Sequence, residues 1–362
     1  MMKKYCVIAT SLIAALWLSL AAFSWFGPRQ AVSEAERRPL AQMPAISAET
    51  LLNGKFMGEF EDFTLDQFPL RDSFRQLKAL YSKYLLGQKD MNGIYVSDGY
   101  AAELCYPLDE GSVEHALKQF QLVYDQYLQD NDRIFANVVP DKGYYLAEPS
   151  GRLSMDHEKL FAMVQAGMSW AEFVDITGKL TLEDYYRTDT HWRQERILPV
   201  AQTLADAMGV TIAADYVPTP LERPFYGVYY GQAALPMEAE AMYVMENALL
   251  KDCRVYQYTD DRYSEVYDLT RVNASDPYDV FLSGAQSLLR IENPNGKRDK
   301  ELVIFRDSFG SSLAPLLVQE YSAVTLIDIR YIQPQLLGKY VEFEGKDVLF
   351  MYSSLVLNKN LI

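Results

Sequence analysis

Leu302-Val303-Ile304-Phe305-Arg306-Asp307-Ser308-Phe309-Gly310 is the stretch that decides how the rest of the chain is read. Its uninterrupted apolar run predicts a buried strand, and the residues from Leu313 to Glu320 predict a helix just beyond the turn. Such an element lifts Ser308 out at the carboxyl edge of a sheet, where free backbone N–H groups and the helix dipole hold an oxyanion. Asp307-Ser308 also suits a helix N-cap, a role that needs no chemistry. Outward from this stretch the same rhythm recurs. Strands are expected at Ile134–Val139, Glu172–Ile176, Asp279–Leu282, Val324–Ile327 and Val348–Met351, and helices at about 112–127, 157–166 and 193–208. Strand-then-helix alternation predicts an α/β fold with a mainly parallel sheet.

A serine nucleophile needs a base, and the base needs an orienting carboxylate. The chain has only three histidines, and one lies in Arg187-Thr188-Asp189-Thr190-His191-Trp192. Asp189 is near enough in sequence to fix one tautomer of His191. The two side chains point the same way if the segment is extended or tightly turned. The other reading of His191-Trp192 is a packed, hydrogen-bonded core pair. His115 and His157 lie in polar, helix-like stretches without a comparable pattern. Asp307 is too close to Ser308 to serve as the acid, and Arg306 either binds an anionic group or pairs with Asp307. Lys142 and Tyr144 follow the strand ending at Pro140, on the sheet edge where open α/β folds bind ligands.

The composition narrows the class. With 49 acidic against 34 basic residues the net charge is −15, which argues against a general affinity for nucleic acid or anionic lipid. Cys6, Cys105 and Cys253 make no disulfide framework and no metal-ligand spacing; Cys105 and Cys253 either pair or stay as thiols. No metal or cofactor is expected. Lys3 and Lys4 precede an apolar run from Tyr5 to Phe26, which reads as a membrane anchor with the rest of the chain outside the cytoplasm, or as a cleaved signal peptide that leaves it secreted. Residues 1–27 are therefore set apart, 28–50 read as an extended linker, and 51–362 read as the folded domain. Two amphipathic helices, broken near Pro69, are expected between Leu51 and Leu86. Residues 217–270, rich in tyrosine and proline, read as a β-rich insertion, whose rings suit either strand packing or the apolar faces of pyranose sugars.

Thr188-Asp189-Thr190-His191-Trp192 followed by Arg306-Asp307-Ser308-Phe309 resembles the DHHW family of bacterial envelope proteins, itself similar to the SGNH-hydrolase-like alginate O-acetylation proteins. Glu36-Arg37-Arg38-Pro39-Leu40, Asp66-Gln67-Phe68-Pro69-Leu70-Arg71-Asp72 and Asn92-Gly93-Ile94-Tyr95 stand in the order that family shows, so the likeness covers nearly the whole chain after the membrane segment. The resemblance implies an SGNH-hydrolase-like core with a permuted motif order and a Ser308, His191, Asp189 triad. It implies a serine O-acetyltransferase or acetylesterase acting on an envelope polysaccharide, with the acyl donor supplied by a membrane-bound O-acyltransferase. Thr190 stands where the family's name has a second histidine, and the alginate proteins carry threonine there too. Ser283-Gly284-Ala285-Gln286 resembles an oxyanion-binding segment in which Ala285 replaces an amide, which leaves the N–H groups of Ser308 and Gly284 as donors. Gly284, Gln286, Arg306, Trp192, Lys142 and Tyr144 complete the oxyanion or substrate-binding candidates. A glycan-binding or scaffold protein without turnover is the alternative.

Overall fold

Apolar periodicity divides this chain into helices near its start and a strand-rich remainder. The computed structural model describes residues 2–212 and 215–362. They gather into two units, one running to Asn92 and taking in Tyr230–Pro236, the other comprising Gly93–Tyr229 and Met237–Ile362.

The first unit opens with helix α1 (Met2–Phe26), of which Lys3–Phe26 is long and apolar enough to cross a membrane. Helices α2 (Ala48–Leu52), α3 (Lys55–Asp66) and α4 (Arg71–Tyr84) follow. Pro69 separates α3 from α4, with Leu70 at φ 55° making the turn. Within residues 28–50, read as a linker, Val32–Ser33 pairs with Arg38–Pro39 as a two-stranded ribbon. Arg38 donates bidentately to Asp66 at 2.8 and 2.6 Å, and this bond holds the Asp66 carboxyl down to about 2. Arg71 and Arg75 both pair with Glu36, so charge, as well as apolar packing, fastens the ribbon to α4.

In the second unit the central sheet has eight strands. In chain order these are β1 (Ile134–Val139), β2 (Glu172–Phe173), β3 (Arg254–Gln257), β4 (Arg262–Ser264), β5 (Leu288–Glu292), β6 (Lys297–Arg306), β7 (Tyr321–Ile327) and β8 (Asp347–Ser353). Their spatial order is β4-β3-β5-β7-β6-β8-β1-β2. The five strands from β7 to β2 are parallel, and β5, β3 and β4 add an antiparallel margin. Of the tyrosine-rich stretch 217–270, β3 and β4 thus belong to this sheet.

Both faces are covered, which is why the central strands read as continuous apolar runs. Leu302 and Ile304 pack with α8 (Leu198–Met208) and α9 (Phe309–Leu317) on one face. Val303 and Phe305 pack with α5 (Glu110–Val123) and α7 (His157–Gly167) on the other, with α6 (Lys142–Leu146) at the end of β1. Phe305 stacks on Phe350 of the neighbouring strand at 4.5 Å. Burial of each such ring contributes roughly 1.5–3 kcal/mol. Cys105 and Cys253 are buried free thiols in these two opposite layers, so they do not pair.

One expected strand needs correction, and one strand was not expected. Asp279–Leu282 is not a strand: Pro277–Val280 is a 3-10 turn, fixed by Pro277 and by the Asp276 side chain accepting the Tyr278 N–H, and Leu282 and Ser283 continue at positive φ. The strand next to it in sequence is β5, hidden by Arg290 and Glu292 in its alternation. Arg290 is satisfied across the sheet by Glu301 at 2.7 Å.

Candidate active site

The end of β6 is held before any chemistry is considered. The Asp307 carboxylate accepts the Phe309 N–H at 3.0 Å and the Ser353 N–H at 2.8 Å, tying the turn to the end of β8. Gly310 lets α9 begin close to the strand, since a Cβ there would lie 2.7 Å from the Arg306 side chain. Ser308 sits in this turn, half-buried, as the first residue before α9. The N–H groups of Phe309 and Gly310 are both spent on Asp307, whereas the Ser308 N–H has no acceptor among the described residues.

Opposite it lies the Asp-x-His segment. Tyr185 bridges Trp192, Tyr186 donates its N–H to the His191 carbonyl, and Arg193 donates to Asp184. Residues 187–190 therefore form a tight loop that directs Asp189 and His191 together. The Asp189 carboxylate lies 2.6 Å from His191 Nδ1 and takes the His191 backbone N–H on the same oxygen. A carboxylate only accepts, so Nδ1 carries the hydrogen and Nε2 is left as acceptor. Ser308 Oγ stands 2.7 Å from Nε2. The chain Asp189, His191, Ser308 is thus continuous, with Asp189 fully buried and the serine at its open end.

Several residues that hold this arrangement carried no sequence signal. Asp189 Oδ2 accepts the Val228 N–H at 2.8 Å, and Thr188 Oγ1 accepts that of Gly227. Only glycine fits at 227, because a Cβ would lie 2.3 Å from the Asp189 Cα. Glu240 accepts from the N–H groups of Arg187 and Thr188 and from the Thr188 hydroxyl, at 2.6, 2.8 and 2.7 Å. Tyr278 lies flat against the His191 ring, with centroids 3.8 Å apart and 8° between planes. Its hydroxyl donates to Ser312 Oγ, which also receives the Trp192 indole N–H. Burial pushes the Tyr278 hydroxyl well up, so a neutral, electron-rich ring faces any imidazolium that forms.

The remaining candidates fall elsewhere. Trp192 is fully buried in the core beneath the loop, because its ring completes the layer around Phe309, and does not face a ligand. Arg306 is fully buried under α9, where burial lowers its affinity for the proton; one of its nitrogens donates to the Asp307 carbonyl. It neither binds an exposed anion nor forms the side-chain pair with Asp307 that was the other reading. Lys142 is also buried, with Nζ donating to the carbonyls of Tyr186 at 2.9 Å and Arg187 at 3.3 Å, so it supports the loop from behind. Burial lowers its pKa to about 7 against the opposing pull of Asp189 and Glu240. The Gly284 N–H is already donated to Phe281, which removes it as an oxyanion donor; Gln286 is half-buried on the following loop. Tyr144 belongs to a second cluster, in which His157 Nε2 meets Asp141 at 2.6 Å and the Ser354 hydroxyl donates to the same carboxylate at 2.9 Å. A cleft of about 420 Å³ lies beside the loop, lined by Tyr100, Arg187, Arg193, Arg196, Glu183 and Glu240; it does not include Ser308 or His191.

The mainly parallel sheet, with Ser308 at the carboxyl end of β6 and the Asp-x-His loop earlier in the chain, defines an α/β fold in which Asp189 and His191 precede the serine. The structure is similar to that of a DHHW family protein from Eubacterium siraeum, with 21% identity and a TM-score of 0.58 over 75% of this chain and 94% of that one. It is also similar to Bacillus cereus PatB1 in two structures, one described with a sulfonyl adduct (16% identity, TM-score 0.56, covering 76% of this chain and 98% of that one) and a second (16%, 0.54, 74% and 98%). These likenesses agree with the family resemblance read in the sequence. No family model and no curated protein matches the sequence.

Proposed function

We propose that this chain is an exported, membrane-tethered serine O-acyltransferase that moves acyl groups, acetyl first among them, onto hydroxyls of a cell-envelope polysaccharide. The observation that carries the reading is the unbroken chain Asp189 Oδ1, His191 Nδ1, His191 Nε2, Ser308 Oγ at 2.6 and 2.7 Å. In this mechanism His191 takes the Ser308 proton as Oγ attacks the acyl carbonyl, and the Ser308 N–H at the start of α9 faces the developing oxyanion. His191 then gives the proton to the leaving group, which departs and leaves acyl-Ser308. A sugar hydroxyl, deprotonated by His191, attacks that ester, and the proton returns to Ser308 Oγ as the acylated sugar leaves. Asp189 orients the imidazole and stabilises its cation, assisted by the Tyr278 ring. Water as the acceptor turns the same cycle into an esterase. α1 supplies the tether, and a membrane-bound O-acyltransferase is the proposed source of the acyl group.

The testing experiment treats the full-length protein with a fluorophosphonate probe alongside Ser308→Ala and His191→Ala. Labelling that needs both residues supports the reading. A folded wild-type protein that takes no label sinks it in favour of a glycan-binding or scaffold role. Acyl release from labelled-acetyl enzyme, with and without a soluble oligosaccharide, then separates transfer from hydrolysis.

A further inference from the structure

Helix α4 is turned the wrong way for a helix whose partners are all within its own chain. Leu70, Phe74, Leu77, Tyr81, Tyr84 and Leu85, at helical spacing along one side and just beyond each end, are between 45% and 74% exposed. The inward side carries instead Arg71 and Arg75, which reach Glu36 at 2.5 and 3.1 Å, together with the small residues Ala79 and Ser82. An outward apolar stripe about 20 Å long on a fourteen-residue helix requires a partner.

Two further observations name its chemistry. The first is position. Where α1 ends, Trp25 packs on Phe60 of α3 at 6.1 Å, Arg29 lies 4.6 Å over the Phe63 ring, and Gln30 and Gln67 exchange hydrogen bonds of 3.0 and 2.8 Å. The unit that carries α4 is therefore clamped to the end of the one helix long and apolar enough, among the described residues, to cross a bilayer. The second is charge. In a chain of net charge −15, Lys78 and Lys83, the two basic residues of α4 that are not engaged with Glu36, flank the apolar stripe, Lys83 with its ammonium 5.6 Å from the Tyr84 ring. Aromatic rings and leucines bordered by lysines match the boundary between acyl chains and anionic headgroups.

We infer that α4 lies in the surface of the bilayer that holds α1, with Phe74, Leu77, Tyr81 and Tyr84 among the acyl chains and Lys78 and Lys83 at the headgroups. This rests on the tether reading above and adds a second, surface-lying contact to it.

The test uses the full-length chain with Cys6→Ser, carrying a nitrobenzoxadiazole label on Leu77→Cys, on Tyr81→Cys or, as control, on Asp72→Cys. Each is reconstituted into vesicles of phosphatidylcholine and phosphatidylglycerol containing a lipid spin-labelled near the headgroup. Sedimentation with the vesicles is measured first, because its failure removes the tether itself. Given sedimentation, the inference expects blue-shifted emission and strong lipid quenching at 77 and 81, and little at 72. Emission at 77 and 81 as water-like as at 72 overturns it while leaving the tether intact. Shielding at 77 and 81 without lipid quenching, lost when the protein is diluted to one copy per vesicle, overturns it in favour of a second copy of the chain. Should a labelled variant fail to fold, accessibility of the same stripe to a lipid-soluble photoreactive probe in the unsubstituted protein gives the same decision.

Discussion

The second unit contains two clusters built from the same three residue types, and they are not equivalent. In one, His191 stands between Asp189 and Ser308; in the other, Asp141 stands between His157 and Ser354. The His–Asp distance is 2.6 Å in both. Only the first order puts an imidazole nitrogen on a serine oxygen. Ser354 gives its hydrogen to a carboxylate and accepts the Asp141 N–H, so its hydroxyl is spent, and it lies fully buried. The stacking differs as well: Tyr278 lies flat on His191, while Tyr144 meets His157 edge-on at 72°. Order of bonding and access to solvent, more than composition, separate a serine whose hydroxyl meets an imidazole nitrogen from a cross-brace for β1 and β8.

That contrast is open to attack at four points, beginning with the largest effect. Ser308→Ala should abolish probe labelling and lower any acyl transfer about 10⁴-fold or more, while Ser354→Ala, once folded, should label at nearly the wild-type rate. Equal loss in both would erase the distinction. His157→Leu should destabilise the protein by about 3–5 kcal/mol in denaturant unfolding, since it strips a partner from the buried Asp141 carboxylate, with labelling of the folded fraction retained. Lys142 supports only the first cluster, and its folded pKa of about 7 lies below the unfolded value near 10.5. Between those values the unfolded chain binds the extra proton, so stability should rise with pH by up to about 1.4 kcal/mol per unit. Thermal melts of wild type and Lys142→Met across that window should differ in slope, and parallel curves would contradict the assignment. Tyr278→Leu should slow labelling by roughly threefold to thirtyfold, with Tyr278→Phe close to wild type, because the π face and not the hydroxyl meets the imidazole. A Phe variant as slow as the Leu variant would transfer the effect to the Ser312 hydrogen bond.

The parallel strands were legible because burial on both faces leaves nothing but apolar residues in Leu302–Phe305 and Val348–Met351, and the Ser308 turn followed from where such a strand must stop. Charged residues satisfied across the sheet concealed β5, and a proline turn imitated a strand at Asp279–Leu282. The supports of the site were harder still. Glu240, Val228 and Tyr278 lie between 37 and 89 residues from the segment 189–191 and act through backbone N–H groups or a ring face, which leave no spacing pattern. Arg306 and Lys142 read as ligand contacts because a basic residue in a sheet-end motif resembles one until its burial is known.

Gly227 has a consequence for how this protein can change over generations. It lies inside the tyrosine-rich stretch 217–270, whose composition differs from that of the parallel strands around it. Yet that stretch passes within van der Waals contact of the Asp189 backbone and supplies the N–H that holds its outer carboxylate oxygen. Any exchange that includes 227 and 228 must arrive with its glycine already in place, and must also keep Glu240, whose carboxylate holds the N–H groups of Arg187 and Thr188. Chimeras joined upstream of 227 without that glycine should inherit a misplaced acid along with the new surface.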